Sequence, residues 1–289
     1  MTANIDQPPA SAAPSEEPEE KPLDEPWGAF APNALERWVI AATRAAGPRG
    51  LKRNLASAMR AVITATHRGP FDDEIYGFKA RLRPKQNLAD KRALFYSRHW
   101  DAAERAFLES VVTPGFRFID IGANTGLYSL FVAARAGDQA LILAVEPQPE
   151  VRRWLAFNIA ANGFSAVRVI DKAIAGGPGT ARLGLPSGNK GTASIASEGE
   201  DFIEVETCSI LDLMDAHGID AADAMKIDIE GAEDQALPPF FETCPKERLP
   251  KHILMETLSP NWSVDCVDLA RQAGYVETAR SHMNVILSL

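Results

Sequence analysis

Residues 116–126 read FRFIDIGANTG. Three apolar residues, Phe116, Phe118 and Ile119, lead into Asp120, and Gly122 and Gly126 then flank Asn124. The pattern predicts a buried strand over 116–120 and a helix over 126–136. In a doubly wound α/β sheet a ligand lies outside the carboxyl ends of the strands, at the point where the strand order reverses. Glycines there let the backbone turn sharply and approach a ligand closely, and the helix that follows offers free N–H groups. The bland alternative is a tight turn that binds nothing.

Outward from this loop the rhythm repeats. Strands are expected at 140–145, 167–171, 223–228, 251–256, 274–278 and 284–288, with helices at 149–161, 209–216, 231–236 and 263–273. Such alternation specifies an α/β fold, a mostly parallel sheet with helices on both faces. On the amino-terminal side, EIYGFKARLRP from residue 74 alternates like a strand or hairpin, and 101–112 reads as a helix. Residues 178–207 break the rhythm. They are rich in Gly, Ser and Thr, and suggest an antiparallel excursion or a mobile loop. Within them GLPSGNKGTAS (184–194) is a candidate lid or pocket wall.

The loop is not GxGxxG, and its acid precedes the glycines. A second acid, Glu146, ends the second strand, 20 residues after Gly126, where it can accept hydrogen bonds from ribose hydroxyls. A carboxylate at Asp120 would repel a pyrophosphate and suits a ligand with a cationic amino-acid end. S-adenosylmethionine has both an adenosine ribose and an amino-acid tail. A valine at Gly122 is expected to abolish binding by filling the space the ligand needs.

A third acid stands in MKIDIEGAE (225–233). Lys226 and Asp228 share one face of a strand. If that strand lies beside the first, Asp228 sits at its carboxyl end, next to the ligand. Lys226 is deeper and needs an anionic partner. Glu233 reads as a residue favouring the start of a helix through the dipole. The following strand, KHILMET, ends in Glu256. Asp228 and Glu256 then crown neighbouring strands, where one can serve as general base or both can hold a divalent metal through oxygen. The five histidines show no paired ligand spacing and read as ordinary residues.

The chain has 289 residues and is 46% apolar, enough for one sizeable core. Residues 1–27 carry seven acids, one lysine and six prolines, so most of the net charge of −9 belongs to that segment. Residues 1–30 are expected to be a disordered acidic tail. Residues 31–70 read as an accessory pair of helices with a basic face, including Arg37, Arg44, Arg60 and Arg68. They are expected to pack on the body with their arginines in water; peripheral membrane contact through 37–68 is the sharper alternative. Cys208, Cys244 and Cys266 show no CxxC spacing, which argues against a disulfide framework or zinc site and fits a reducing cytoplasm. No basic-then-apolar leader opens the sequence, and no apolar run approaches a membrane span.

At these residues the sequence resembles the FkbM-type family of S-adenosylmethionine-dependent methyltransferases. The likeness runs from about 75 to 258 and rests on RHWDAAERAFLESVVTPG, FIDIGANTGLYSL, VEPQPEVRRWLAFNIAANG, NKGTASI and MKIDIEGAE. It implies a Rossmann-like methyltransferase domain over 71–289 with seven strands, the last antiparallel. It also implies the methyl donor near Asp120, Gly122, Asn124 and Gly126, with Glu146 on the ribose and Asp228 beside the donor. The reaction implied is O-methylation of a hydroxyl, often on a sugar or a secondary metabolite. The acceptor is expected to be a small molecule or glycan, and no nucleic acid partner is expected. A nicotinamide-dependent oxidoreductase is the weaker enzyme alternative, because the third glycine spacing is missing and Asp120 is present. A non-catalytic interaction module is the third reading.

Overall fold

The computed structural model describes residues 21–45, 51–184, 202–257 and 262–289. The chain begins with a short helix, α1 (Lys21–Asp24), and a packed helix pair, α2 (Ala34–Ala45) and α3 (Leu51–Thr66). An antiparallel hairpin follows, β1 (Phe71–Ile75) and β2 (Phe78–Leu82), then α4 (Leu88–Tyr96) and α5 (Ala102–Val111). The alternating body starts with β3 (Arg117–Ile121), α6 (Leu127–Ala136), β4 (Leu141–Val145), α7 (Pro149–Asn162) and β5 (Val167–Ile170). Three short strands, β6 (Ala173–Ile174), β7 (Gly179–Gly184) and β8 (Phe202–Cys208), interrupt it. It resumes with α8 (Ile210–His217), β9 (Ala224–Ile227), α9 (Glu233–Thr243), β10 (His252–Glu256), α10 (Cys266–Gln272), β11 (Val276–Arg280) and β12 (Asn284–Ser288).

The main sheet has seven strands in the order β11-β12-β10-β9-β3-β4-β5. Strand β12 is antiparallel to both its neighbours, and the pairs from β10 across to β5 are parallel. The fold is therefore the expected α/β sheet, and β9 does lie beside β3. The interruption is the expected antiparallel excursion: β7 and β8 pair antiparallel, and β6 joins their edge. The segment 185–201, which includes most of the candidate lid, lies outside the described residues.

Strand alternation sorts the core into two layers. Phe118, Ile142, Ala224, Leu254 and Ile286 join one apolar cluster with α6 and the amino-terminal elements. Ile119, Ile121, Leu143, Met225, Ile227 and Met255 join the other, against α8, α9 and α10. Register then fixes the polar residues. Asp120 stands opposite Lys226 on β9 and Ala144 on β4, and Lys226 stands opposite Leu254. Asp120, Glu146, Lys226, Asp228 and Glu256 thus belong to one face and cluster toward its carboxyl edge.

The amino-terminal expectations need correction. Residues 21–30 are folded, not part of a disordered tail; residues 1–20 lie outside the described residues. The cause is Arg81, completely buried in β2. Its Nε and Nη2 each donate to Asp72 at 2.7 Å, and its Nη groups donate to the carbonyls of Pro22, Glu25 and Pro26. Asp72 in turn accepts from the Gly28 amide at 2.7 Å. A base that reads as a solvated strand residue is the clamp that fixes the preceding segment.

The helix pair is also less accessory than expected. Val39, Ile40 and Ile63 share the apolar cluster of Phe118. Arg44 donates to Asp73 at 2.6 Å and Arg60 is buried, so the arginines do not all face water. Leu35, Trp38, Leu55 and Val62, apolar residues at helical spacing, are each more than half exposed. Among the described residues no helix is long and apolar enough to cross a membrane.

Replacing Arg81 by Met strands the buried Asp72 carboxylate and releases three carbonyls of the preceding segment. Breaking one side of a buried ion pair costs roughly 3 kcal/mol or more, so the urea midpoint of Arg81→Met is expected to fall sharply. Adding Asp72→Leu should restore part of the loss. An unchanged midpoint in the single variant would show that the clamp contributes nothing.

Candidate active site

A cavity of about 230 Å³ opens at the carboxyl ends of β3, β4, β9 and β10. Gly122, Asn124, Glu146, Lys226, Asp228 and Glu256 line it, so the fold brings together six residues that the sequence singled out. Asp120 and Gly126 do not line it.

Asp120 is buried, and its Oδ2 accepts from the Ser129 amide at 3.0 Å and the Ser129 hydroxyl at 2.6 Å. It therefore holds the first turn of α6, whose amides lack intrahelical partners. Its Oδ1 has no hydrogen-bond partner among the described residues. Burial pushes its pKa up, and the Lys226 ammonium on the adjoining strand opposes that shift. Gly126 starts α6 with φ of +93°, and a Cβ there would meet Leu155 Cδ1 at 2.5 Å.

Gly122 has φ of +76°, and a Cβ there would lie 1.9 Å from the carbonyl oxygen of Asp228. The close approach that requires glycine is thus between two loops of the chain, after β3 and after β9. This contact alone demands glycine at 122, whether or not a ligand also needs the space. Asn124 sits in the left-handed region at φ 52°. Its amide donates to Glu146 Oε2 at 2.9 Å, and its Oδ1 accepts from Asn87 Nδ2 at 2.6 Å. Glu146 also accepts from the Gln148 amide at 2.9 Å, and burial pushes its pKa up to about 7.

Lys226 has the anionic partner that its depth requires. Its Nζ donates to Asp228 Oδ2 at 2.9 Å and lies 5.0 Å from the Tyr128 ring centroid. Burial alone would lower the lysine pKa, but Asp228 and Asp120 raise it, so the ammonium persists. Conversely, burial would raise the Asp228 pKa, but Lys226 and a hydrogen bond from Glu256 hold it low. Glu256 is pushed up to about 8 by burial and by the neighbouring Asp228 charge. Near neutral pH, Asp228 is therefore the anion of the pair and Glu256 carries the shared proton. Glu230, beside them, is pushed up to about 7 by burial and by the same charge. Glu233 is a brace: its Oε1 accepts from the Ile229 amide and its Oε2 from the Trp262 indole, both at 2.8 Å. Among the described residues no group of three or more His, Cys, Asp or Glu converges as metal ligands would.

The sequence reading missed the wall contributed by residues 87–101. Asn87 caps α4, accepting from the amides of Ala89 and Asp90, and reaches Asn124 as well. Asp101, at φ 45°, accepts from the Tyr128 hydroxyl at 2.7 Å. Arg92 and Trp100 line the cavity with them. The Asn before LADKRALFY is a readable cap signal; the other positions carry none. Three of the four non-glycine residues with positive φ among those described, Asp101, Asn124 and Glu230, line this one cavity. Such backbone costs about 1–3 kcal/mol per residue and gathers at functional sites.

Comparison with known proteins follows the same lines. Residues 120–262 match the family model described as Methyltransferase FkbM domain. A search of curated proteins found no match. Among solved structures, the methyltransferase domain of METTL16 aligns with 13% identity and a TM-score of 0.44, covering 82% of this chain and 78% of that one. Fibrillarin from Aeropyrum pernix, bound to S-adenosyl-L-methionine, aligns with 13% identity and a TM-score of 0.39, covering 64% and 74%. A precorrin-6y C5,15-methyltransferase from Geobacter metallireducens GS-15 aligns with 12% identity and a TM-score of 0.39, covering 64% and 88%. The segment that carries Asp120, Glu146, Lys226, Asp228 and Glu256, residues 120–262, is a methyltransferase domain of the FkbM family.

Proposed function

We propose that this S-adenosylmethionine-dependent methyltransferase methylates a hydroxyl oxygen of a sugar, glycan or secondary metabolite. The observation that carries the reading is the Asp228–Glu256 pair at the ends of adjacent strands, one member held anionic by Lys226 and the other poised to take up a proton near pH 8. A hydroxyl must lose its proton as it is alkylated, and a carboxylate with a pKa near the working pH serves that need.

The residues present fit the donor. Glu146 turns a buried carboxylate to the cavity, an acceptor for ribose hydroxyls, and Pro147, Ile174 and Leu183 give that cavity apolar surface. Asn124 and Glu146 would hold the ribose end. When bound, S-adenosylmethionine supplies an electrophilic methyl group on a sulfonium. Glu256, once ionised, accepts a hydrogen bond from the acceptor hydroxyl and takes its proton as the oxygen is methylated; Asp228, held anionic beside it by Lys226, raises the basicity of Glu256. Trp100 and Arg92 border the same space, an aromatic face and a donor fork suited to a polyol.

The deciding experiment follows labelled methyl from S-adenosylmethionine into sugars and polyols and tests the product with alkali. An alkali-stable ether supports the reading; label found only on nitrogen, carbon or a labile ester overturns it. Donor binding is checked separately by titrating S-adenosylhomocysteine against NAD, with binding expected only for the former. Glu146→Gln places an amide N–H against the Asn124 or Gln148 amide. Its affinity for S-adenosylhomocysteine is expected to fall by roughly tenfold or more, on the scale of a charge-assisted hydrogen bond. Unchanged affinity would remove Glu146 from the donor site.

A further inference from the structure

We propose that Arg60, Lys85 and Lys91 form a second ligand site, one that binds a phosphate group. The three line a recess between α3 and the start of α4, together with the hydroxyl-bearing Ser57, Thr64 and Tyr96. None of its lining residues borders the methyl-transfer cavity, and none is Asp or Glu.

Arg60 carries the argument. It is only 5% exposed, yet it makes no ion pair among the described residues. Its Nη2 donates to Ser57 Oγ at 2.7 Å, and its guanidinium lies 4.5 Å from the Tyr96 ring centroid. Neither contact supplies a counter-charge, and its Nε and Nη1 make no hydrogen bond among the described residues. The other buried arginines show the contrast: Arg81 is paired with Asp72, and Arg83 with Glu150. A charge taken out of water calls for a compensating one. Lys85 and Lys91 are exposed at the rim, so the recess adds two more cations instead of an anion; among the described residues the one polar contact of the Lys85 ammonium is the His67 carbonyl at 3.3 Å.

The chemistry selects phosphate over carboxylate. A phosphomonoester brings roughly −1.5 to −2 charges and three acceptor oxygens near neutral pH. A carboxylate brings a single charge against three cations. The free edge of a guanidinium pairs two phosphate oxygens in parallel, and lysines act as point charges beside it. The three hydroxyls can serve the remaining lone pairs.

The test uses the full chain. Inorganic phosphate and glycerol phosphate are titrated by calorimetry against sodium chloride of matched ionic strength. In parallel, sedimentation is measured with phosphatidylcholine vesicles with and without phosphatidic acid. Saturable phosphate or glycerol phosphate binding assigns a soluble phosphate ligand; sedimentation that needs phosphatidic acid assigns a lipid headgroup, and either supports the site. Lys85→Gln combined with Lys91→Gln changes only exposed side chains. It is expected to weaken binding by about tenfold or more, on the scale of lost charge-assisted contacts, and to leave S-adenosylhomocysteine affinity unchanged. Arg60→Gln is expected to weaken binding further. The proposal is overturned if the wild type shows no saturable response to any of these probes, or if the double variant binds them as the wild type does.

Discussion

Replacing Glu256 by Gln is expected to lower kcat by about 10²-fold or more, the usual contribution of a positioned proton acceptor, with S-adenosylhomocysteine affinity little changed. The reason lies in how the strand ends divide their charges. Lys226 donates to Asp228 and keeps it anionic, and that anion together with burial pushes Glu256 up to about 8. An acid whose pKa is raised in this way holds its proton below that value and acts as a base above it. The wild-type rate on a true acceptor should therefore rise with pH through about 8 and level off beyond. The apparent value belongs to the pair, because the two carboxyls titrate together. Glu256→Gln should lose that rise. Asp228→Asn should also depress turnover, and in addition leave Lys226 without its hydrogen-bonded anion, so its stability should fall as well. A Glu256→Gln enzyme that turns over like wild type, with the same pH profile, would sink the assignment of the base.

How much of this was legible depends on which interactions are local. The alternation of Phe118, Ile119 and Asp120 is a local pattern, and it placed β3, its two buried faces and the acid at its end within a residue. The same logic held for Lys226 and Asp228, because two residues on one face of a strand stay neighbours in any sheet. Glu256 followed from strand order. What escaped were contacts made by tertiary packing. Asn87 meets Asn124 across 37 positions, and nothing in either neighbourhood says so. Helix α4 was overlooked because its basic and apolar residues follow one another without a clear stripe, Lys91 and Arg92 masking the buried Ala93, Leu94 and Phe95. The left-handed backbone of Asp101 has no sequence signal either. Arg81 shows the limit most plainly: its type suggests water, and only its ion pair with Asp72 and the carbonyls of Pro22, Glu25 and Pro26 make its burial intelligible. The division of protons between Asp228 and Glu256 likewise required knowing which of them Lys226 touches.

Gly122→Ala separates two explanations that sequence alone left joined. If the glycine only makes room for a ligand, the variant should fold as well as wild type and simply bind the donor poorly. The structure predicts otherwise. A Cβ would stand 1.9 Å from the Asp228 carbonyl oxygen, where the loops after β3 and β9 meet, and φ at 122 is +76°. The left-handed backbone alone costs an alanine roughly 1–2 kcal/mol. Relieving the clash means parting two backbones that the Asp228 amide holds together through its 3.1 Å hydrogen bond to Ile121. The combined loss is expected to be about 4 kcal/mol or more, in the range that single substitutions reach only through such mechanisms. For a chain of this size that corresponds to a fall in Tm of roughly 10 °C, measured with no ligand present. Gly163→Ala is the matched control: at φ +67° and ψ +26° it lies in the left-handed region, and an added Cβ meets nothing within 4 Å. That variant should show the backbone cost alone, about 1 kcal/mol. Should Gly122→Ala unfold no earlier than Gly163→Ala, the contact with Asp228 does not hold the two loops together, and the glycine serves the ligand after all. If it unfolds far earlier and loses S-adenosylhomocysteine binding as well, the donor loop and the proton-accepting strand end are one packed unit.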